Sequence, residues 1–181
     1  MTLPLWLEAR WYSAAPPPLL LRQFAALFWF IDRLRARSIR PEKLAVPVIV
    51  VGNISVGGTG KTPCVIWLVE RLRESGWTPG VISRGYGGVA PSYPFEVLRD
   101  SQAAECGDEP LLLARRLDCP LAVAPDRVAA GRYLIEKHGV NILVSDDGLQ
   151  HYALARDLEF CVVDGARGLG NGALLPAGPL R

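Results

Sequence analysis

The sequence predicts an α/β fold built on a mostly parallel sheet, preceded by a helix that associates with a membrane surface. Three observations carry this. Beyond Pro41, short apolar runs alternate with amphipathic segments, as strands and crossover helices do. Turn residues and carboxylates collect where those apolar runs end, at the sheet edge where open α/β sheets bind ligands. Before Pro41, a bulky apolar stretch is followed by a cluster of arginines.

That stretch, "PLLLRQFAALFWFI" from Pro18 to Ile31, is followed by Asp32, Arg33, Arg35, Arg37, Arg40 and Lys43. Its uninterrupted apolar core, Phe24 to Ile31, is too short to cross a bilayer, which takes about 20 apolar residues. It is no signal peptide either, since its basic residues follow the apolar region instead of preceding it. A helix lying in the membrane surface fits: Trp and Phe enter the headgroup boundary while the trailing arginines meet anionic phosphates. Trp6, Trp11 and Trp29 crowd the same end of the chain. The other reading is a helix packed on the protein's own core. Pro16, Pro17 and Pro18 close an irregular leader and let the helix start. Residues 1–44 are therefore read as a hydrophobic and basic membrane-associated segment and residues 45–181 as the α/β nucleotide-binding domain.

Val46 to Val51 is the first strand and Thr62 to Ser75 the first crossover helix, with Val65, Leu68, Val69 and Leu72 on one face and Gly76 ending it. Val81 and Ile82 belong to a second strand that runs into "SRGYGG". Helices are expected over Asp108 to Leu117 and Asp126 to His138, the second capped by its own Asp. "NILVSDD" and "LEFCVVD" read as strands that each end in carboxylates. His138, just before Gly139, places a cation at a helix C-terminus.

Composition sets limits. The 181 residues are half hydrophobic and 21% charged, enough for a real core. Twenty Lys and Arg against 18 Asp and Glu give a net charge of only +2, with no whole-chain basic field that would draw nucleic acid. Cys64, Cys106, Cys119 and Cys161 are scattered without a C-x-x-C pair and are read as buried free thiols.

The stretch "SVGGTGKTP", Ser55 to Pro63, carries the chemistry. It follows a strand and opens a helix, the context a phosphate-binding loop needs. Ser55, Val56, Gly57, Gly58, Thr59 and Gly60 let backbone N–H groups curl around phosphate oxygens, Lys61 reaches the terminal phosphates, and the Thr62 hydroxyl suits Mg²⁺. Ser55 stands where the usual pattern has its first glycine. Asp146 and Asp147, at the end of "ILVS", are the carboxylate partners of such a loop, holding Mg²⁺ directly or through water. The domain is thus a P-loop NTPase fold that binds a nucleoside triphosphate with Mg²⁺. Asp108, read from the sequence alone, caps the helix it opens. Arg84 and Tyr86 meet phosphate or sugar, or belong to a turn. His151 orients the carboxylate pair or packs at the surface.

Five stretches in order, "VPVIVVGNISVGGTGKTP", "SRGYGG", "GDEP", "DDGLQHY" and "GNGALLPAGPLR", resemble the tetraacyldisaccharide 4'-kinases of lipid A biosynthesis. The resemblance implies transfer of the γ-phosphate of ATP to the 4'-hydroxyl of an acylated disaccharide 1-phosphate, forming lipid IVA at the cytoplasmic face of the bacterial inner membrane. It implies that Asp108, in "GDEP", is the carboxylate that helps deprotonate the acceptor. It also implies that the chain is the N-terminal portion of a longer protein, with the histidine that pairs with this Asp lying beyond Arg181, so that the chain alone is an inactive nucleotide-binding fragment or a working kinase. The "VGGTGKT" loop is similar, too, to that of membrane-linked ParA/MinD-type ATPase switches, but Val56 stands where those carry a signature lysine.

Overall fold

The structure is a computed structural model that describes residues 3–13 and 15–181. Met1, Thr2 and Ala14, within the predicted membrane-associated segment, lie outside the described residues. The chain divides into two compact units. One holds residues 41–52 and 60–161, the other residues 53–59, 162–181 and the described part of 1–40.

The larger unit contains a six-stranded sheet. Its strands are β1 (Val48–Gly52), β2 (Pro79–Ser83), β3 (Phe95–Glu96), β4 (Leu121–Val123), β5 (Ile142–Asp146) and β6 (Leu158–Cys161), in the order β3-β4-β2-β5-β1-β6. All neighbours are parallel except the edge pair β3 and β4. β1, β2 and β5 are buried along their whole length, as parallel strands covered on both faces must be. This is why Val48–Val51 and Ile142–Val144 read as continuous apolar runs instead of alternating ones. Register aligns Val51 with Asp146, so the exit of β1 and the carboxylate end of β5 share one sheet edge.

The crossover helix α1 (Lys61–Glu74) packs on β1, β2 and β5, burying Val65, Leu68 and Val69. It ends where Gly76 turns left-handed (φ 84°), with Gly76 N–H donating to the Arg73 carbonyl and Trp77 N–H to the Leu72 carbonyl. That pair of backbone bonds closes the C-terminus, and the Ser75 hydroxyl adds a third by donating to the Arg71 carbonyl (2.8 Å). Two further helices follow, α2 (Ala103–Cys106) and α3 (Asp108–Arg116). α4 (Arg127–His138) packs on β2 and β4. Asp126 caps α4 by accepting from the N–H groups of Val128 and Ala129, as expected. Val128, Ala130 and Leu134 of α4 join Val48, Val50, Ile82 and Leu143 in the core.

Three expectations need correction. β6 stops at Cys161, three residues short of Asp164, because the Asp164 carboxylate accepts from the N–H groups of Ala166 and Arg167 and turns the chain. The cysteines are free, but only Cys106 is fully buried; Cys64 and Cys119 are half-buried and Cys161, on edge strand β6, is exposed. Burial still pushes the Cys119 thiol up to about 12, outweighing the opposing pull of Arg73. β3, β4 and α2 were not expected at all.

β3 is tied to α4 by Glu96. Its carboxylate accepts from the Tyr133 hydroxyl (2.9 Å) and Lys137 Nζ (2.6 Å), and His138 Nε2 lies 2.8 Å from its other oxygen. Partial burial pushes the Glu96 carboxyl upward, but the bonds from Lys137 and Tyr133 and the nearby charges outweigh it, holding the group below its ordinary range. A depressed carboxylate contributes stability above its unfolded value of about 4.3 and loses it as pH falls through the folded value. Glu96→Gln is therefore expected to lower the urea midpoint at pH 7, with the gap to the parent protein closing below about pH 4. A gap that stays constant down to pH 3 would contradict this role.

In the smaller unit the chain before the three prolines, expected to be irregular, forms the helix α5 (Leu3–Trp11), and α6 (Leu19–Ser38) follows directly after Pro18. Along α6 only Ala25 is buried, while Phe24, Leu27, Phe28, Trp29, Phe30 and Ile31 are all exposed. A helix packed on the protein's own core is not what the structure has. No helix among the described residues is long and apolar enough to cross a membrane.

Candidate functional site

The glycine-rich loop leaves β1 at Asn53, a fully buried polar residue. A buried amide must be hydrogen-bonded, and this one organises the loop. Asn53 Nδ2 donates to the carbonyls of Ser55 (2.6 Å) and Gly57 (3.3 Å), and its Oδ1 accepts from Arg181 Nη2 (2.6 Å). The loop also pairs with the end of the "LLPAGPLR" stretch: Val56 N–H donates to the Pro179 carbonyl, Arg181 N–H donates to the Ile54 carbonyl, and Ser55 bridges Leu180 in antiparallel register. Two motifs far apart in sequence thus form one braced structure. Gly57 has φ 116°, a backbone state that L side chains rarely adopt.

Gly60, Lys61 and Thr62 continue the loop into α1. Gly60, left-handed at φ 84°, occupies the cap position and offers no side chain to cap α1. Lys61 Nζ lies 3.7 Å from Asp147 Oδ1, and the lysine side chain is mostly buried.

Asp146 ends β5 with its side chain buried, and the Ser83 hydroxyl sits 3.5 Å from its Oδ2. Asp147 follows at φ 46°. This left-handed state is sparsely populated for a non-glycine residue, and Arg127 pins it. The buried Arg127 guanidinium donates from Nη2 to the backbone carbonyls of both Asp146 (3.2 Å) and Asp147 (2.7 Å). Farther along the same loop Arg156 bonds the carbonyls of Leu149, His151 and Leu154. His151 N–H donates to the Gly148 carbonyl, so this residue takes part in the loop's own turn.

Burial pushes the Asp146 carboxyl up to about 6, the negative charges of Glu109 and Asp147 push the same way, and Lys61 and Arg127 pull against them. Crowded oxygen anions at a sheet edge are what a hard divalent cation relieves. Together with the Thr62 hydroxyl they are a donor set suited to Mg²⁺, which takes one or two carboxylates plus phosphate and water.

Asp108 opens α3 and is exposed, with Glu109 beside it. The turn before it is tightly packed. A Cβ on Gly107 would lie 2.4 Å from the Tyr86 carbonyl oxygen, and one on Gly88 would lie 2.5 Å from the Gly107 nitrogen. Gly88 and Gly107 therefore permit a backbone-to-backbone approach between the two motifs, which fixes the start of α3. Arg84 is exposed and Tyr86 is 86% exposed.

The structure thus brings Lys61, Asp146 and Asp147 together, with Thr62 next in the chain. Ser55, Val56, Gly57, Gly58 and Thr59 belong to the other unit, braced by Asn53 and Arg181. Sequence reading missed Asn53, Glu109, Arg127, Arg156 and Arg181. Of these only Asn53 left a local signal, as an amide in an otherwise apolar strand exit.

Residues 18–181 match the family model described as Tetraacyldisaccharide-1-P 4'-kinase. The chain belongs to this family. It is 53% identical to the tetraacyldisaccharide 4'-kinase of Tolumonas auensis, over 97% of this chain and 55% of that protein. It is 54% identical to the one from Aeromonas hydrophila, over 97% of this chain and 54% of that protein. It is also similar to a crystal structure of LpxK from Aquifex aeolicus in complex with ATP, with a TM-score of 0.74 and 33% identity over 88% of this chain and 52% of that one. The chain spans about half the length of the curated relatives it matches. The resemblance carried by the five motifs and the predicted α/β kinase fold are both borne out by this family membership.

Proposed function

We propose that the protein is an ATP-dependent kinase that moves the γ-phosphate of ATP to the 4'-hydroxyl of tetraacyldisaccharide 1-phosphate, giving lipid IVA. The observation that supports this most is the Lys61 ammonium held 3.7 Å from Asp147, next to the buried Asp146, where β5 ends. Ser55 to Thr62 hold the nucleotide phosphates through backbone N–H groups, and Lys61 neutralises charge on the terminal phosphates. Thr62, Asp146 and Asp147 hold Mg²⁺, which when bound neutralises phosphate charge. Asp108 accepts the proton of the 4'-hydroxyl as its oxygen bonds the γ-phosphorus and the bond to the β-phosphate bridging oxygen breaks, releasing ADP.

Residues 1–44 serve as the membrane-associated segment and residues 45–181 as the kinase domain, working at the cytoplasmic face of the inner membrane, where an acylated acceptor resides. The exposed apolar side chains of α6 enter the headgroup boundary, and its late arginines meet lipid phosphates. Trp29→Ser with Phe30→Ser is expected to weaken binding to anionic vesicles about tenfold or more, since each buried aromatic side chain contributes about 1.5–3 kcal/mol. Co-sedimentation unchanged by the double substitution would remove α6 from membrane contact.

A switch of the ParA/MinD type would hydrolyse ATP without a sugar acceptor. ADP production measured with and without the acylated disaccharide in mixed micelles tests the kinase reading: production that depends on the acceptor supports it, and production indifferent to the acceptor sinks it.

A further inference from the structure

In the smaller unit a cavity of about 530 Å³ is lined by Tyr12, Ser13, Ala166, Arg167 and Gly170. Its walls are fixed. Asn171 N–H donates to the Trp11 carbonyl (2.7 Å), and Trp11 Nε1 donates to the Pro176 carbonyl (3.0 Å), holding the end of α5 on the 166–181 segment. The Asp164 turn sets the backbone at Arg167. The Arg167 guanidinium lies over the Tyr12 ring, 5.8 Å from its centroid. One edge faces Glu8 at 3.9 Å, beyond hydrogen-bond length. The same Nη1 lies 3.4 Å from where a Cβ on Gly57 would sit. A guanidinium with half its side chain exposed therefore rests against the glycine-rich loop of its own unit, beside a polar cavity.

We infer that Arg167 is a phosphoryl-binding residue for the ligand of the Ser55–Thr62 loop, its guanidinium fork gripping phosphate oxygens. The inference rests on the proposed nucleotide site. A planar fork matches phosphate geometry better than a lysine does, and an aromatic face under the cation orients it. The weakly engaged Glu8 leaves that edge open to a stronger anionic partner. The phosphoryl group is the nucleotide's terminal phosphate or the phosphate already carried by the acylated acceptor.

Arg167→Gln and Arg167→Lys separate these sources. ATP and ADP affinities are measured by equilibrium titration with Mg²⁺, the KM for the acylated disaccharide phosphate by initial rates, and folding by thermal melting. Loss of a charge-assisted contact is worth about tenfold or more. ATP affinity down by that factor with ADP affinity unchanged assigns the terminal phosphate. Unchanged nucleotide affinity with the acceptor KM raised by that factor assigns the acceptor's phosphate. In either case Arg167→Lys recovers part of the loss and the melting temperature holds. The inference is overturned if Arg167→Gln leaves all three constants unchanged, or if it weakens ATP and ADP equally while lowering the melting temperature. Failure of the parent protein to bind ATP would instead defeat the nucleotide site on which the inference rests.

Discussion

Asp108→Asn is expected to slow phosphoryl transfer by about 10²–10⁴-fold while nucleotide affinity stays within about twofold. The substitution keeps the size and hydrogen-bonding shape of the side chain but removes its capacity to take a proton. In the proposed mechanism that work falls to Asp108, whose backbone position is fixed where Gly107 and Gly88 allow the "SRGYGG" turn to approach the start of α3 at distances no side chain would tolerate. Because the side chain is exposed, the substitution leaves no buried group unpaired, and the melting temperature is expected to hold. Transfer rates measured at saturating ATP and acceptor check this, and transfer at the parent rate would remove Asp108 from the chemistry. A matching loss of ATP affinity would mean that Asp108 serves binding.

Lys61→Ala is expected to reduce transfer by about 10²–10³-fold, the size found when one preorganised donor to a developing charge is removed. Two effects combine. The terminal phosphates lose their cation, and Asp147 loses the ammonium 3.7 Å away, leaving more uncompensated negative charge where the phosphates must come. Lys61→Arg is expected to recover only a fraction, because a planar fork on a longer side chain does not reproduce a compact ammonium. Initial rates across an ATP series check the prediction; an alanine variant within threefold of the parent would show that the loop binds phosphate through its backbone alone.

What was legible in the sequence was local. The cap at Asp126, the helix end at Gly76 and the loop from Ser55 to Thr62 are each specified within a few residues. Lys61, Asp146 and Asp147 were readable because the motifs that carry them follow buried parallel strands that are apolar throughout. β4 escaped notice because its three residues sit between Pro120 and Pro125 and make too short an apolar run. β3, two residues long, exists through its antiparallel pairing with β4 and the Glu96 contacts to α4. The supports of the site were hidden for a related reason. Arg181 reaches Asn53 across 128 positions and Arg127 reaches Asp147 across 20, and no periodicity announces such contacts. The strand "LEFCVVD" was read past its end because the apolar run outlasts the hydrogen-bonded ladder with β1, which closes at Cys161.

In the proposed reaction the phosphate held by this loop goes to a lipid-linked sugar. The direct measurement incubates the protein with γ-labelled ATP, Mg²⁺ and tetraacyldisaccharide 1-phosphate in mixed micelles and follows the label. Label is expected in the lipid, at the 4'-position, and none there with Lys61→Ala or Asp108→Asn over the same interval. Label released only as inorganic phosphate, with the lipid unchanged, would contradict it.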